Sequence, residues 1–117
     1  MRSPSERLRD ILDAIVNIER YAVRGRDAFE QDELIRTWIL YHIQIIGEAA
    51  AQLGRTFHDV HSNIPWAQIV AMRNVLVHAY FGVDLNQVWK TVENDLPALK
   101  QQIVALLHQL EAQSDEE

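Results

Sequence analysis

Arginine, asparagine, histidine and tyrosine crowd into one short run, Arg73-Asn74-Val75-Leu76-Val77-His78-Ala79-Tyr80. These side chains suit phosphate chemistry without a metal. A histidine takes or gives a proton near neutral pH. An arginine steadies the negative charge that builds on a phosphoryl group. In RNA the 2′-hydroxyl can attack its own neighbouring phosphate, so a catalyst need only move protons and balance charge. One histidine per chain is thin for both the acid and the base role, and a symmetric dimer would supply two. By spacing alone, the commoner reading of Arg-x4-His is an internal salt bridge for Arg73 and a helix-end or core place for His78.

The run sits on a helix expected from Pro65-Trp66 to about Ala79 or Tyr80, broken by Gly82. At about 100° per residue, Ile69, Val70, Leu76, Val77 and Tyr80 fall within roughly 80° of Trp66. Arg73 lies near the centre of that apolar face. An unpaired buried charge is very costly, so Arg73 must pair with an acid or face a groove. A second stripe holds Ala67, Ala71, Asn74 and His78. Asn74 and His78 are four apart and so face each other. The alanines leave room for another element or another subunit. His78 lies about 140° around from Arg73 and roughly 7.5 Å along the axis. The two share no face unless the helix ends near His78 or a dimer brings the stripes together.

The other elements are helical as well. Ser3-Pro4-Ser5-Glu6 has the form of a capping box with proline at the first helical position. Leu8, Ile11, Leu12, Ile15, Ile18 and Ala22 follow as an amphipathic stripe, and Gly25 lies past the stop. A second helix starts between Asp27 and Asp32 and runs to about Leu53, with Gly54 as its C-terminal stop. Residues 55–64 have no period and read as a loop. A last helix starts with Asp84 as cap and Gln87 at the capping-box position. Val92, Leu96, Leu99, Ile103, Leu106 and Leu110 form its seam, and Pro97 should kink or split it. The sum is an all-α antiparallel bundle of four to five helices with short connections.

Other candidate residues carry a plain reading beside a functional one. Glu48 projects beside Tyr41 and Gln44, either in a salt bridge to an arginine or as a supporting partner of the site. Asn74 orients the imidazole or binds phosphate, or simply caps a turn. His42 lies on the apolar face of its helix, as a core histidine does. His58 and His61 flank Asp59 in the expected loop, and nothing completes a metal ligand set around them. Trp38, Trp66 and Trp89 read as core or interface anchors. Arg20, Arg24 and Arg26 favour the dipole at the end of the first helix and could form an RNA or partner patch.

The chain of 117 residues is one domain's worth, and its 48% hydrophobic and 24% charged residues are ordinary for a globular protein. We read residues 1–112 as a single domain and 113–117 as an acidic tail. The net charge of −6 argues against a broadly basic nucleic-acid platform. Asp115, Glu116 and Glu117 contribute half of it, and nine of the eleven cations are arginine. The absence of cysteine excludes disulfides, thiolate metal sites and cysteine nucleophiles. The Trp38–Ile46 stretch is too short to span a bilayer, and the N-terminus has no apolar signal region, so a cytoplasmic location is expected.

Several of these segments match a known pattern together. Ile45-Ile46-Gly47-Glu48-Ala49-Ala50, Ile64-Pro65-Trp66, Met72, the R-x4-H-x-Y run, Phe81-Gly82-Val83-Asp84, Val88-Trp89 and Asn94-Asp95-Leu96-Pro97 occur in the order of the HepT family. That family comprises HEPN-domain toxins of bacterial and archaeal toxin–antitoxin pairs. The resemblance runs from the first helix to about Ile103. It implies a homodimer whose two R-x4-H motifs meet in a shared cleft, and a metal-independent endoribonuclease acting on transfer or messenger RNA. Carried over, Arg73 and His78 are catalytic and Tyr80 is the third motif residue; Asn74 and Glu48 are supporting candidates on their placement alone, not through the resemblance. The resemblance also implies a type VII system, in which an MntA-type nucleotidyltransferase antitoxin attaches AMP to Tyr80 and blocks the cleft. The competing function is a helical dimer that serves as substrate or binding subunit of the nucleotidyltransferase and cuts nothing. No cofactor is called for.

Overall fold

The computed structural model describes residues 2–79 and 82–115, with side chains described through 113. Helix α1 spans Pro4–Ala22, α2 Arg26–Gln31, α3 Glu33–Val60, α4 Trp66–His78, α5 Leu85–Lys90 and α6 Leu96–Asp115. Among the described residues there is no strand. The fold is the expected all-α bundle, and no helix of it is long and apolar enough to cross a membrane.

The start of α1 forms as its sequence dictates. The Ser3 hydroxyl accepts from the Glu6 backbone N–H at 3.2 Å, and the Ser3 N–H donates to the Glu6 carboxylate at 3.1 Å. The Ser3 backbone N–H, bonded to the carboxylate, does most to hold the Glu6 carboxyl below its ordinary range, with the Ser3 hydroxyl next. The stabilisation is therefore present above the ordinary carboxylate pKa and is lost as pH falls through the lowered one. Ser3→Ala is expected to cost about 1 kcal/mol in a urea melt.

The helices pack antiparallel. Glu19 meets Lys100 at 2.9 Å and Arg9 meets Glu111 at 2.9 Å, so α1 and α6 run in opposite directions. Trp38 Nε1 donates to the Asn17 carbonyl at 2.8 Å, and Arg7 bonds Gln52, which orients α3 against α1 in the same way. Leu8, Ile11, Ile15, Ile18, Ile39 and Ile103 are wholly buried between α1, α3 and α6. Each such side chain contributes ~1.5–3 kcal/mol relative to exposure. His42 is a core histidine as expected, buried with Nδ1 2.8 Å from the Trp38 carbonyl.

Three boundaries differ from the expectation. The second helix is divided: α2 is a separate piece anchored by the buried Phe29, whose ring lies 5.5 Å from that of Trp89. Asp32 then caps α3 by accepting from Leu34 N at 2.9 Å and Ile35 N at 3.4 Å. Residues 55–64 are not a loop throughout. Gly54 does leave the helix (φ 86°), but helical turns resume to Val60. Tertiary contacts drive this: the His58 ring stacks on Trp66 at 4.9 Å, and Phe57 meets Trp66 edge-on at 5.9 Å. Thirdly, α4 ends at His78, and Ala79 already has non-helical angles (φ −138°, ψ 41°).

The last helix deforms where Pro97 requires it. Asp84 caps α5 as expected, accepting from Asn86 N at 2.9 Å. Between α5 and α6, Thr91–Asp95 widens into a π-turn, and the Leu96 N–H reaches the Thr91 carbonyl. Pro97 has no N–H to offer the carbonyl four residues back, and the wider turn makes room for its ring.

Candidate active site

Helix α4 lies on α3 at one close approach. A Cβ built on Gly47 would sit 2.0 Å from Arg73 Cβ, 2.8 Å from its Cγ and 3.3 Å from its Cα. Only a residue without a side chain fits at 47, and the stem of Arg73 packs in the space so left. The next residue on α3 then receives the guanidinium. Glu48 Oε1 accepts from Arg73 Nε at 3.0 Å and from Nη2 at 2.5 Å. Arg73 Nη1 donates to Asn74 Oδ1 at 2.8 Å.

The expected partner for Arg73 is thus Glu48, and the charge on the apolar face is paired. Arg73 is 28% exposed and Glu48 41%, so the pair remains open to solvent. One N–H on each terminal nitrogen of Arg73 has no partner among the described residues. That end of the fork is available to an anion.

His78 makes no hydrogen bond to this cluster among the described residues. It is exposed at the last turn of α4 and makes no hydrogen bond among the described residues. Asn74 bonds Arg73, not His78. Tyr80 lies outside the described residues. The exposed stripe of α4, with Ala67, Ala71 and Asn74, borders an open hollow of about 660 Å³. Val75 and Val77 are 49% and 46% exposed. On its other side α4 borders a groove of about 920 Å³, whose lining includes Asp84 and Asp95 but no lysine or arginine. That groove has the wrong charge for RNA.

His58, within α3, and His61 at its end serve packing: His58 Nε2 lies 2.7 Å from the Ala50 carbonyl, and the His61 ring lies 4.5 Å from that of Phe57. The residue whose role sequence reasoning missed is Gly47. Its signal was a glycine inside an otherwise unbroken helical pattern, which usually marks close packing.

An all-α bundle with an acid-held arginine and a histidine five residues on describes a class of helical proteins rather than one activity. Comparison with known proteins narrows it. Residues 11–106 match the family described as ribonuclease HepT-like. A Thermococcus cleftensis protein described as "Probable ribonuclease HepT" is 39% identical over 102 residues, covering 85% of this chain and 91% of that one. A candidate RNase of Caldanaerobacter subterraneus subsp. tengcongensis is 33% identical over 108 residues, covering 92% and 96%. A Methanocaldococcus jannaschii protein described as a gamma-glutamylcyclotransferase and candidate RNase is 35% identical over 105 residues; the match covers 89% of this chain but only 47% of that protein. No solved structure matches the chain. The chain belongs to the ribonuclease HepT-like family.

Proposed function

We propose that this protein is a metal-independent endoribonuclease, the toxin of a type VII toxin–antitoxin pair, acting as a homodimer in the cytoplasm. The observation that carries the reading is the held guanidinium of Arg73 on the same helix as an exposed His78 that makes no hydrogen bond among the described residues. Arg73 binds the scissile phosphate of a transfer or messenger RNA. His78 takes the proton of the 2′-hydroxyl as it attacks, and His78 of the second copy protonates the departing 5′-oxygen. The products are a 2′,3′-cyclic phosphate and a 5′-hydroxyl. Mass spectrometry of cleaved RNA ends tests this chemistry, and 3′-hydroxyl ends would overturn it.

The dimer reading rests on the outer face of α4, where small and exposed apolar residues leave room for a second copy. Ala71→Arg is expected to separate the protomers in analytical ultracentrifugation and to lower cleavage with them. Glu48 and Asn74 act as positioning residues for Arg73. Glu48→Gln keeps the shape and removes the charge; it is expected to lower RNA cleavage ~10-fold, as for loss of a charge-assisted bond. Full activity in Glu48→Gln would remove Glu48 from the mechanism.

Neutralisation is assigned to an MntA-type nucleotidyltransferase that joins the α-phosphorus of ATP to the Tyr80 oxygen, breaking the α–β anhydride bond and releasing pyrophosphate and the phenolic proton. The added phosphate repels RNA from the cleft. Incubation with that enzyme and ATP should add AMP mass to a Tyr80-containing peptide and none to Tyr80→Phe. In the second reading the protein is only a substrate or binding subunit of the nucleotidyltransferase; AMP uptake without any RNA cleavage would favour it.

A further inference from the structure

We propose that the trough between α1 and α3 is a nucleotide subsite, which takes one single-stranded RNA base and its phosphate beside Arg73. The trough has a volume of about 290 Å³ and is lined by Arg7, Asp10, Tyr41, Gln44, Glu48 and Gln52, among others. It adjoins the site, because Glu48 on its wall is the residue that holds Arg73.

Each feature a nucleotide needs is present. Tyr41 is 60% exposed, and the His42 ring braces it edge-to-face with centroids 5.2 Å apart. An exposed, braced aromatic ring is a stacking platform for any base. Tyr41 and Glu48 are seven apart on α3, so they share a face about 10.5 Å apart along the axis. Gln44 lies between them, and its amide faces a base edge with both donors and an acceptor. Arg7 supplies the positive charge. Its only hydrogen-bond partner among the described residues is the neutral Gln52 amide, so its charge is not cancelled by a carboxylate in contact. Arg2, which also lines the trough, is committed to Asp10 at 2.6 and 2.8 Å. The contrast with the larger acidic groove across α4 gives the RNA a direction: it leaves Arg73 toward α1, away from Asp84 and Asp95.

The proposal deepens the ribonuclease reading, but its main test is binding and so stands apart from cleavage. Fluorescence anisotropy with a short labelled single-stranded RNA is read for the full chain and its variants. Tyr41→Ala is expected to weaken binding ~10-fold, the loss of one stacked base. Tyr41→Phe should restore it, since the ring and not the hydroxyl carries the contact. Arg7→Ala should weaken binding and lower the salt slope by about one. RNA made abasic at the contacted position should bind the wild-type chain as weakly as intact RNA binds Tyr41→Ala, with no further loss on combining the two. In turnover, Tyr41→Ala should raise KM and not lower kcat in proportion. Equal binding by wild type and Tyr41→Ala, or equal loss in Tyr41→Phe, overturns the subsite. RNA bound through Tyr41 but never cut overturns the ribonuclease reading and leaves the subsite standing. A wild-type chain that binds no RNA overturns both.

Discussion

His78→Ala is expected to lower RNA cleavage ~10²–10⁴-fold, the range for losing a general acid or base. Arg73→Ala should cost ~10²–10³-fold, as for removing one group that stabilises developing charge. Neither change should unfold the protein. His78 is exposed and unbonded among the described residues, so its removal takes no packing away. The Arg73–Glu48 pair is partly open to solvent, and its loss is worth ~1 kcal/mol at most. Purified variants with unchanged circular dichroism and collapsed cleavage would support the assignment. A His78→Ala variant that cuts RNA at the wild-type rate would sink the mechanism. Mixing His78→Ala with wild-type chains offers a finer test. Because the proposed cleft uses His78 of both copies as base and acid, heterodimers that keep only one His78 should cleave far more slowly than half the wild-type rate. Chelator should leave wild-type cleavage intact, whereas cleavage lost in EDTA and restored by a divalent ion would call for a metal enzyme.

The second large effect is at Gly47, where two principles oppose each other in sign. Alanine is better than glycine inside a helix by ~0.5–1 kcal/mol, so local propensity makes Gly47→Ala stabilising. The packing of α4 on α3 makes it destabilising, because the new methyl would lie 2.0 Å from Arg73 Cβ. Overpacking of this kind costs ~1–3 kcal/mol, and the atom in the way belongs to the base of a side chain on a packed helix. The clash should therefore win, with a net loss of ~1–2 kcal/mol in urea unfolding. Cleavage should fall further than stability, because relief requires α4 to move and carries Arg73 away from Glu48. Gly47→Leu should be worse on both counts. A Gly47→Ala chain more stable than wild type would show that α3 and α4 are not this close.

The placement of Glu48 makes these effects interdependent. It fixes Arg73 through one oxygen, and it also lines the trough together with Tyr41. A change at Glu48 should therefore alter both turnover and RNA affinity, whereas a change at Tyr41 should alter affinity alone. That difference in pattern separates holding the catalytic arginine from holding the substrate.

Much of this molecule is set by local rules that any reader of the chain can apply. Ser3 and Glu6 cap α1, Asp84 caps α5 and Gly54 leaves its helix, because capping and backbone freedom depend on neighbours only a few residues away. The stripes of α1 and α6 declare their buried faces for the same reason. The charge of Arg73 on an apolar face likewise announced that it must find an acid or face a groove. Which acid it finds is a different kind of fact. Glu48 is twenty-five residues distant, and only the crossing of α3 and α4 at Gly47 brings it to 2.5 Å. The turns after Gly54 form because Phe57 and His58 meet Trp66, a contact no local period records. Sequence alone determined the all-α class, the capped ends and buried stripes of the main helices, and the membership of a family. Tertiary structure alone decided that Glu48 is the acid that holds Arg73, because distances between side chains on different helices depend on how the helices pack.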